Sequence, residues 1–294
     1  MKHAYCIIAH NRPDLLQNLV EMIDDERNDI FIHIDKKSDI AQFSHIKAEK
    51  SHLQYTSKRV DCIWGNVSQV YTEMQLFEDA MSCWDYDYVH LLSGIDVPIK
   101  SQDYIHSFIN GGGNLEYIGY LLDSDNQRLL RRRTEIYHVL TQKGRTGLGK
   151  FYGLIRKAFC ALQRIIGYKR KHTIKEFGIG PNWVSLTGAC IKYILSQKDV
   201  IYKEFQYTTC IDEVYKHSIL LNSPFRDKIY RYGDGAMEGC MRLIDWTRGR
   251  PYVFQMHDID EIMSSDRLFC RKVTDLNLAK EIRKRIEFNE NTSN

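Results

Sequence analysis

The chain has 294 residues, 43% of them hydrophobic and 27% charged, a composition typical of a globular protein with one large domain or two small ones. Its net charge of +3 is too small to argue for a nucleic-acid partner, and its eight scattered cysteines include no short-spaced pair of the kind that holds zinc. Because no apolar stretch is long enough for a signal peptide or a membrane span, we expect a cytoplasmic protein, possibly peripheral on the inner face of the membrane.

The chain opens with a predicted β-α-β unit. Residues 4–10 and 29–35 are apolar runs of strand length, and Pro13 begins a segment between them with apolar side chains at helical spacing. This order predicts a parallel sheet. Asp35 would then stand at the carboxyl end of a strand, where open α/β sheets bind nucleotides; an ordinary turn residue is the alternative. No glycine-rich phosphate loop follows the first strand.

Further segments bring polar and aromatic residues to the same expected edge of the sheet. Residues 53–63 are predicted as a strand leading into a helix, with Trp64 at the corner, where it would stack on a base or pack in the core. Residues 88–92 form the next predicted strand, and the turn SGID follows it. Residues 114–122 are predicted as a strand that carries Glu116.

The middle of the chain is basic. Residues 148–171 combine cations with apolar side chains at helical spacing, which predicts a basic amphipathic helix. Such a helix either lies on an anionic membrane surface or packs one face on the domain, and the sequence leaves both interpretations open.

Residues 207–223, YTTCIDEVYKHSILLNS, carry adjacent carboxylates in what is predicted to be the first turn of a helix. Thr209 is the predicted N-cap, with Asp212 three residues on as its capping-box partner. A carboxylate at this position suits a general base, so Glu213 is a candidate for one. Capping alone would also explain both acidic residues.

Six phrases occur together in a characteristic order: FIHIDKKS, IWGNVSQVYTEM, VHLLSGIDVPIKS, IGPNWVSLTG, CIDE and RLFCRKV. With this set the chain, over about residues 4–273, resembles the core-2/I-branching glycosyltransferases, family 14 of the sequence-based classification. That family includes β-1,6-N-acetylglucosaminyltransferases and peptide O-xylosyltransferases. The chain resembles a compact bacterial-type member, without the membrane anchor and stem of the animal enzymes.

The resemblance implies an α/β fold of the GT-A nucleotide-sugar transferase type, with a mixed, mostly parallel sheet flanked by helices. It implies a single domain over residues 1–294, made of a nucleotide-binding half, a basic helical insertion, an acceptor and catalytic half, and a C-terminal helix and tail. We place these parts at residues 1–122, 123–178, 179–273 and 274–294.

The resemblance also implies site residues wherever the motifs match. Glu213 matches the catalytic base. The expected donor-binding residues are Asp35, Trp64, Lys272 and one of two arginines, with Arg250 preferred and Arg248 as the fallback. The expected acceptor-binding residues are Glu116, Trp246 and Trp183.

Family members invert the anomeric carbon without a metal ion, so we expect no metal cofactor here. An arginine and a lysine would offset the charge of the leaving diphosphate. The tripeptides at residues 85–87, 123–125 and 258–260 match the Asp-x-Asp pattern of metal-dependent enzymes, and we expect none of them to bind a metal.

The expected substrates are a UDP-sugar and a glycan or lipid-linked sugar acceptor. UDP-GlcNAc is the preferred donor and UDP-xylose the alternative. A protein that binds a sugar nucleotide or a glycan but has lost catalysis is the rival interpretation.

Overall fold

The computed structural model describes residues 1–141 and 149–293. The strands are β1 (His3–Ala9), β2 (Asn28–Ile34), β3 (His52–Tyr55), β4 (Tyr88–Ser93), β5 (Val97–Pro98), β6 (Ser185–Thr187), β7 (Arg242–Ile244) and β8 (Phe269–Arg271). The α-helices are α1 (Pro13–Ile23), α2 (Ser68–Cys83), α3 (Gln102–Gly111), α4 (Ser124–Thr134), α5 (Gly149–Ile165), α6 (Gly188–Ser196), α7 (Lys198–Phe205), α8 (Tyr215–Leu221), α9 (Ala236–Cys240), α10 (Ile259–Ser264) and α11 (Leu276–Ser293).

The main sheet has the strand order β3-β2-β1-β4-β6, and within it only β6 runs antiparallel to its neighbour. Alternate side chains of β1 enter different cores: Cys6 packs with the residues of α2, and Ile7 with those of α1. A strand buried on both faces is continuously apolar, which is why β1 is visible in the sequence. The predicted class, a mixed and mostly parallel α/β sheet flanked by helices, is confirmed.

The parallel strands β1, β2 and β4 place their carboxyl ends along one edge of the main sheet. Asp35 directly follows β2, and the turn from Ser93 to Asp96 directly follows β4. A second sheet, with the order β5-β8-β7, continues from that turn. Because β7 and β8 are parallel, the loop after β7 and Lys272 after β8 also lie at a common edge.

Residues 114–122 do not form the predicted strand. Glu116 and Tyr117 instead make isolated bridges, to Ile229 and Ser185 respectively. Close backbone packing occupies the rest of the segment, since a Cβ atom at Gly119 would lie 1.8 Å from the carbonyl oxygen of Ala236. The alternation of apolar residues in this stretch therefore reflects burial between other elements and not a ladder of strand pairs.

Three histidines are buried together beside the main sheet. The rings of His3 and His106 stack with centroids 3.9 Å apart, and Nε2 of His90 lies 3.1 Å from Nδ1 of His3. Burial, followed by the neighbouring charges, lowers the pKa of His3 to about 2 and that of His106 to about 4, and it lowers the pKa of His90 well below its usual value. These imidazoles are therefore neutral in the folded protein at neutral pH.

We predict that the protein loses stability as the pH falls below about 6.5, the pKa of unfolded histidine. Between that value and the lower folded pKa, the unfolded state binds more protons, and each such histidine costs about 1.4 kcal/mol per pH unit. The raised pKa values of Glu116 and Asp212 act in the opposite direction. Calorimetry of the wild type and His106→Gln separates the two effects, because only the histidine term changes. A stability deficit of the variant that stays constant from about pH 7.5 to about pH 5 would contradict the prediction.

Candidate active site

A cleft of about 820 Å³ opens beside the carboxyl edge of the main sheet. Its walls come from the loops after β2 and β3, the inner side of α5, and the segment that leads to Glu213. The lining residues are Lys37, Asp61, Cys62, Ile63, Trp64, Gly65, His138, Thr141, Arg156, Lys157, Cys160, Arg164 and Thr209.

Asp35 lies at the border of this cleft and is nearly buried. Its carboxylate accepts a hydrogen bond of 2.9 Å from the backbone N–H of Lys37, and the ammonium of Lys37 lies 3.2 Å from it. The same ammonium is 2.5 Å from Asp61. Since Lys37 and Asp61 both line the cleft, the carboxylate of Asp35 lies directly behind the cleft wall and is already engaged by Lys37.

Trp64 stands in the wall of the cleft with 71% of its surface exposed, which excludes the alternative of a core tryptophan. The next residue, Gly65, has a φ of +73°, a conformation that favours glycine. Its carbonyl accepts a 3.0 Å hydrogen bond from the backbone N–H of Cys210. The tryptophan loop is thereby joined to the segment that carries the candidate base.

The predicted capping box at Thr209 is wrong. Cys210 adopts a left-handed conformation with a φ of +47°, a 3-10 helix follows at Ile211–Glu213, and α8 begins only at Tyr215. The N-terminus of the 3-10 helix and the N-terminus of α8 both lack a side-chain capping hydrogen bond. The physical reason is tertiary: the hydrogen bond from Cys210 to the tryptophan loop fixes the backbone in a turn where a helix would otherwise start.

Asp212 and Glu213 lie in different environments. The side chain of Asp212 is buried and accepts a 3.0 Å hydrogen bond from Nε2 of Gln69, and burial followed by nearby negative charges raises its pKa to about 7. Glu213 keeps a third of its side chain exposed, and its Oε2 lies 2.7 Å from a nitrogen of Arg133. Of the two neighbours, Glu213 is the carboxylate that a bound molecule can reach.

A buried ion pair anchors this segment. Lys216 and Glu73 are both fully buried, with Nζ 2.5 Å from Oε2, and the hydroxyl of Tyr215 donates to the same oxygen at 2.6 Å. Nζ of Lys216 also donates to Oδ1 of Asn182 and to the backbone carbonyl of Asp212. The pair therefore connects α2, α8 and the loop before β6.

A second polar cluster surrounds the SGID turn. Arg271, at the end of β8, contacts Oδ1 of Asp96 at 2.6 Å and donates to the hydroxyl of Ser93. Its guanidinium lies 4.4 Å from the ring centroid of Trp183. The ring face of Trp183 thus packs against the guanidinium of Arg271. We did not anticipate Arg271 from the sequence, although it directly precedes Lys272 in the RLFCRKV phrase.

Contacts link the two clusters into one site. The loop of Trp64 bonds to Cys210, and Gly180 donates a 3.0 Å hydrogen bond to the carbonyl of Glu213. Trp183 lies on the same loop as Gly180 and carries Arg271 on its ring. The structure therefore brings Trp64, Glu213 and Trp183 onto a continuous series of neighbouring segments.

Lys272 differs from its neighbour in having no counterion. Within residues 1–141 and 149–293, no carboxylate forms an ion pair with its ammonium, whereas Arg271 is paired with Asp96. Burial, and then the charge of Arg271, lower the pKa of Lys272. A partly buried cation without a carboxylate partner can bind an anionic ligand.

The structure distinguishes the two candidate arginines. Arg248 is ion-paired with Asp245, Asp258 and Glu261, and its guanidinium stacks 4.3 Å from the ring of Tyr252. Arg250 is exposed, and no carboxylate in the described part of the chain pairs with it. The geometry therefore supports Arg250 over Arg248 as the partner of Lys272, while the binding role itself stays a prediction.

Two predicted acceptor residues lie in contrasting places. Glu116 is fully buried, and its carboxylate accepts hydrogen bonds of 2.9 and 2.6 Å from the backbone N–H and hydroxyl of Thr187. Burial raises its pKa to about 7. It supports the start of α6 and has no surface for a sugar to contact. Trp246, in the loop after β7, is 52% exposed and is accessible to an acceptor.

The Asp-x-Asp tripeptides serve local structure. Asp85 pairs with Lys192 before β4, at the edge opposite to the cleft, and Asp123 caps α4. Asp258 caps a 3-10 helix and pairs with Arg248. Among the residues that the structure describes, no group of three His, Cys, Asp or Glu side chains could hold a metal ion. Whether activity needs an added metal stays a prediction.

The family model described as Branch: Core-2/I-Branching enzyme matches residues 3–266. The chain belongs to this family. The resemblance inferred from the sequence motifs is therefore confirmed.

Individual relatives are distant. The chain is 24% identical over 254 residues to Xylosyltransferase 1 of Homo sapiens, covering 83% of this chain and 24% of the relative. It is 22% identical over 264 residues to Xylosyltransferase oxt of Drosophila melanogaster, covering 82% and 28%. The chain thus spans about a quarter of the length of the curated relatives it matches. A solved structure of mouse Xyloside xylosyltransferase 1 aligns over 92% of this chain and 96% of that one, with 10% identity and a TM-score of 0.38.

We predict that Lys216→Met alone destabilises the protein by about 3–5 kcal/mol, because it leaves the Glu73 carboxylate buried without its partner. The double variant Glu73→Gln/Lys216→Met removes both charges and should recover much of that loss. Urea denaturation of the wild type, the two single variants and the double variant measures the coupling. Additive losses in the double variant would show that the pair does not act as a unit.

Proposed function

We propose that this protein is an inverting, metal-independent glycosyltransferase that moves a sugar from a UDP-sugar to a hydroxyl group of a glycan acceptor. The observation that carries the proposal is the meeting of a reachable carboxylate, Glu213, with a cleft wall that carries Trp64. On the adjoining edge stand two cations, Lys272 and Arg250, without carboxylate partners in the described chain. These are the groups that a sugar transfer without a metal requires.

The donor nucleotide fits the side of the site that includes Asp35 and Trp64. An exposed indole offers a face on which a uracil can stack, and the carboxylate of Asp35 can accept hydrogen bonds from the base or ribose. Lys272 and Arg250 then offset the negative charge that grows on the diphosphate as it leaves. Arg271 supports this side through Asp96 and the SGID turn.

Glu213 acts as the general base. The acceptor hydroxyl oxygen attacks the anomeric carbon, the bond from that carbon to the UDP oxygen breaks, and Glu213 takes the hydroxyl proton. One carboxylate and one displacement give inversion. Arg133 binds Oε2 of Glu213, so it orients the carboxylate and leaves Oε1 toward the acceptor. Trp183 and Trp246 are the proposed acceptor-side aromatic surfaces, whereas Glu116 holds Thr187 in the core.

Two lines of support favour different donor sugars. The sequence motifs favoured N-acetylglucosamine, as in a β-1,6-N-acetylglucosaminyltransferase, whereas the names of the matched relatives favour xylose. On that support we propose UDP-xylose as the donor to test first, with UDP-GlcNAc second. The proposed acceptor is a cell-surface polysaccharide, another glycan or a lipid-linked sugar, reached from the cytoplasmic side of a membrane.

We predict that Glu213→Gln lowers turnover by about 10²–10⁴-fold while leaving UDP affinity unchanged, because only the proton acceptor is lost. Asp212→Asn is the matched control: its neutral amide oxygen can still accept the bond from Gln69, so turnover should stay within a few-fold of wild type. UDP release and calorimetric UDP titration provide the two measurements. Turnover absent from the wild type, with UDP-sugar binding intact, would favour the rival interpretation of a protein that only binds.

We predict that Lys272→Ala and Arg250→Ala each weaken UDP binding by about 10–100-fold, the usual contribution of a charge-assisted hydrogen bond. Arg248→Ala should instead lower thermal stability and leave the UDP affinity of the folded protein near wild type, since Arg248 is paired with Asp245, Asp258 and Glu261. Wild-type activity should be the same in EDTA and in Mn²⁺. Activity that EDTA abolishes and Mn²⁺ restores would overturn the assignment of the diphosphate charge to these two side chains.

A further inference from the structure

Helix α5 exposes its apolar face. Leu154, Leu162 and Ile165 are 66%, 55% and 82% exposed, values unlike those of the core. The exposed apolar side chains of the helix recur at intervals of three and four and so form one stripe: Phe151, Leu154, Ile155, Phe159, Leu162 and Ile165. Contact with the other residues that the structure describes does not explain this pattern.

The opposite side of α5 faces the protein. Arg156, Lys157, Cys160 and Arg164 line the cleft, and at about 100° per residue they lie across the helix from the apolar stripe. Gln163 is buried and bonds through its side chain to the backbone N–H and carbonyl of Tyr137. A surface helix of a globular protein normally buries its apolar side. Helix α5 therefore packs one face on the domain, as one of the two interpretations expected, but that face is the polar one and the apolar face is exposed.

The segment that contains the stripe carries charge of one sign only. Residues 136–175 contain ten Lys or Arg and no Asp or Glu, in a chain whose net charge is +3. Lys169 and Lys171, just beyond the helix, are exposed. Leu148, where the predicted helix began, lies outside the described residues. An apolar stripe on a basic segment, with two exposed lysines beyond its carboxyl end, is complementary to a surface that is apolar inside and negative outside.

We propose that α5 docks this protein on an anionic lipid membrane, lying in the plane of the headgroups with its apolar stripe toward the acyl chains. A second copy of the chain fits less well, because it would set two basic segments of a positively charged chain against each other, whereas an anionic surface offsets their charge. Seventeen residues give a helix about 25 Å long, enough to lie along the interface. Within residues 1–141 and 149–293, no helix is long and apolar enough to cross a bilayer. The docking proposal does not depend on the transfer reaction.

Vesicle flotation tests the docking surface. The wild type should float with phosphatidylcholine vesicles that contain phosphatidylglycerol, and much less with phosphatidylcholine alone. Leu154→Gln/Leu162→Gln should reduce the bound fraction by about tenfold or more, since two leucines no longer enter the bilayer. Ile40→Gln/Val200→Gln changes two exposed apolar residues elsewhere, at 43% and 39% exposure, and should float like the wild type. Lys169→Gln/Lys171→Gln should weaken binding to anionic vesicles and reduce its dependence on salt.

Each alternative has its own result. The proposal would be overturned if the wild type failed to float with anionic vesicles. Equal flotation of the wild type and Leu154→Gln/Leu162→Gln would also overturn it. A dimer in light scattering that Leu154→Gln/Leu162→Gln converts to a monomer, without flotation, would assign the stripe to a second copy. Circular dichroism checks that the variants fold. Glu213→Gln should float like the wild type, so a failure of the catalytic assignment leaves the docking result unaffected.

Discussion

The buried pair of Lys216 and Glu73 is the interaction on which the site depends. A charge without its partner in the protein interior costs several kcal/mol, so each side chain fixes the position of the other. Lys216 also donates to the backbone carbonyl of Asp212, next to Glu213, and to the side-chain oxygen of Asn182, in the loop before β6 that carries Trp183. The backbone that presents Glu213 is thereby positioned from the core and not from the cleft.

Strand direction explains why distant residues meet. Parallel strands deliver their following loops to one edge, so Asp35 and the SGID turn become neighbours although about 60 residues separate them. The same holds in the second sheet, where the parallel strands β7 and β8 bring Arg250 and Lys272 to a common edge. The two edges join where Arg271 bonds to Asp96. Topology thus brings the candidate site residues of both sheets together.

Sequence reasoning succeeded where local pattern and topology decide the outcome. The apolar runs of β1 and β2 and the proline that begins α1 predicted the sheet, and hence the place of Asp35. It failed where a tertiary bond overrides local preference, as at Thr209, where the N–H of Cys210 bonds to the tryptophan loop. Neither the burial of Glu116 nor the three carboxylates around Arg248 leaves a local signal.

The orientation of α5 was equally hidden, because an amphipathic pattern does not say which face meets the protein. Its observed orientation resolves a conflict between the two proposals. A UDP-sugar is an anion, and an anionic membrane beside the cleft would repel it. The body of the helix, about 10 Å across, keeps the cleft that distance from the proposed membrane surface, which weakens the repulsion. Under the docking proposal the apolar stripe would contact the lipid on one side of the helix, and Arg156, Lys157 and Arg164 line the cleft on the other, where they would attract an anionic donor.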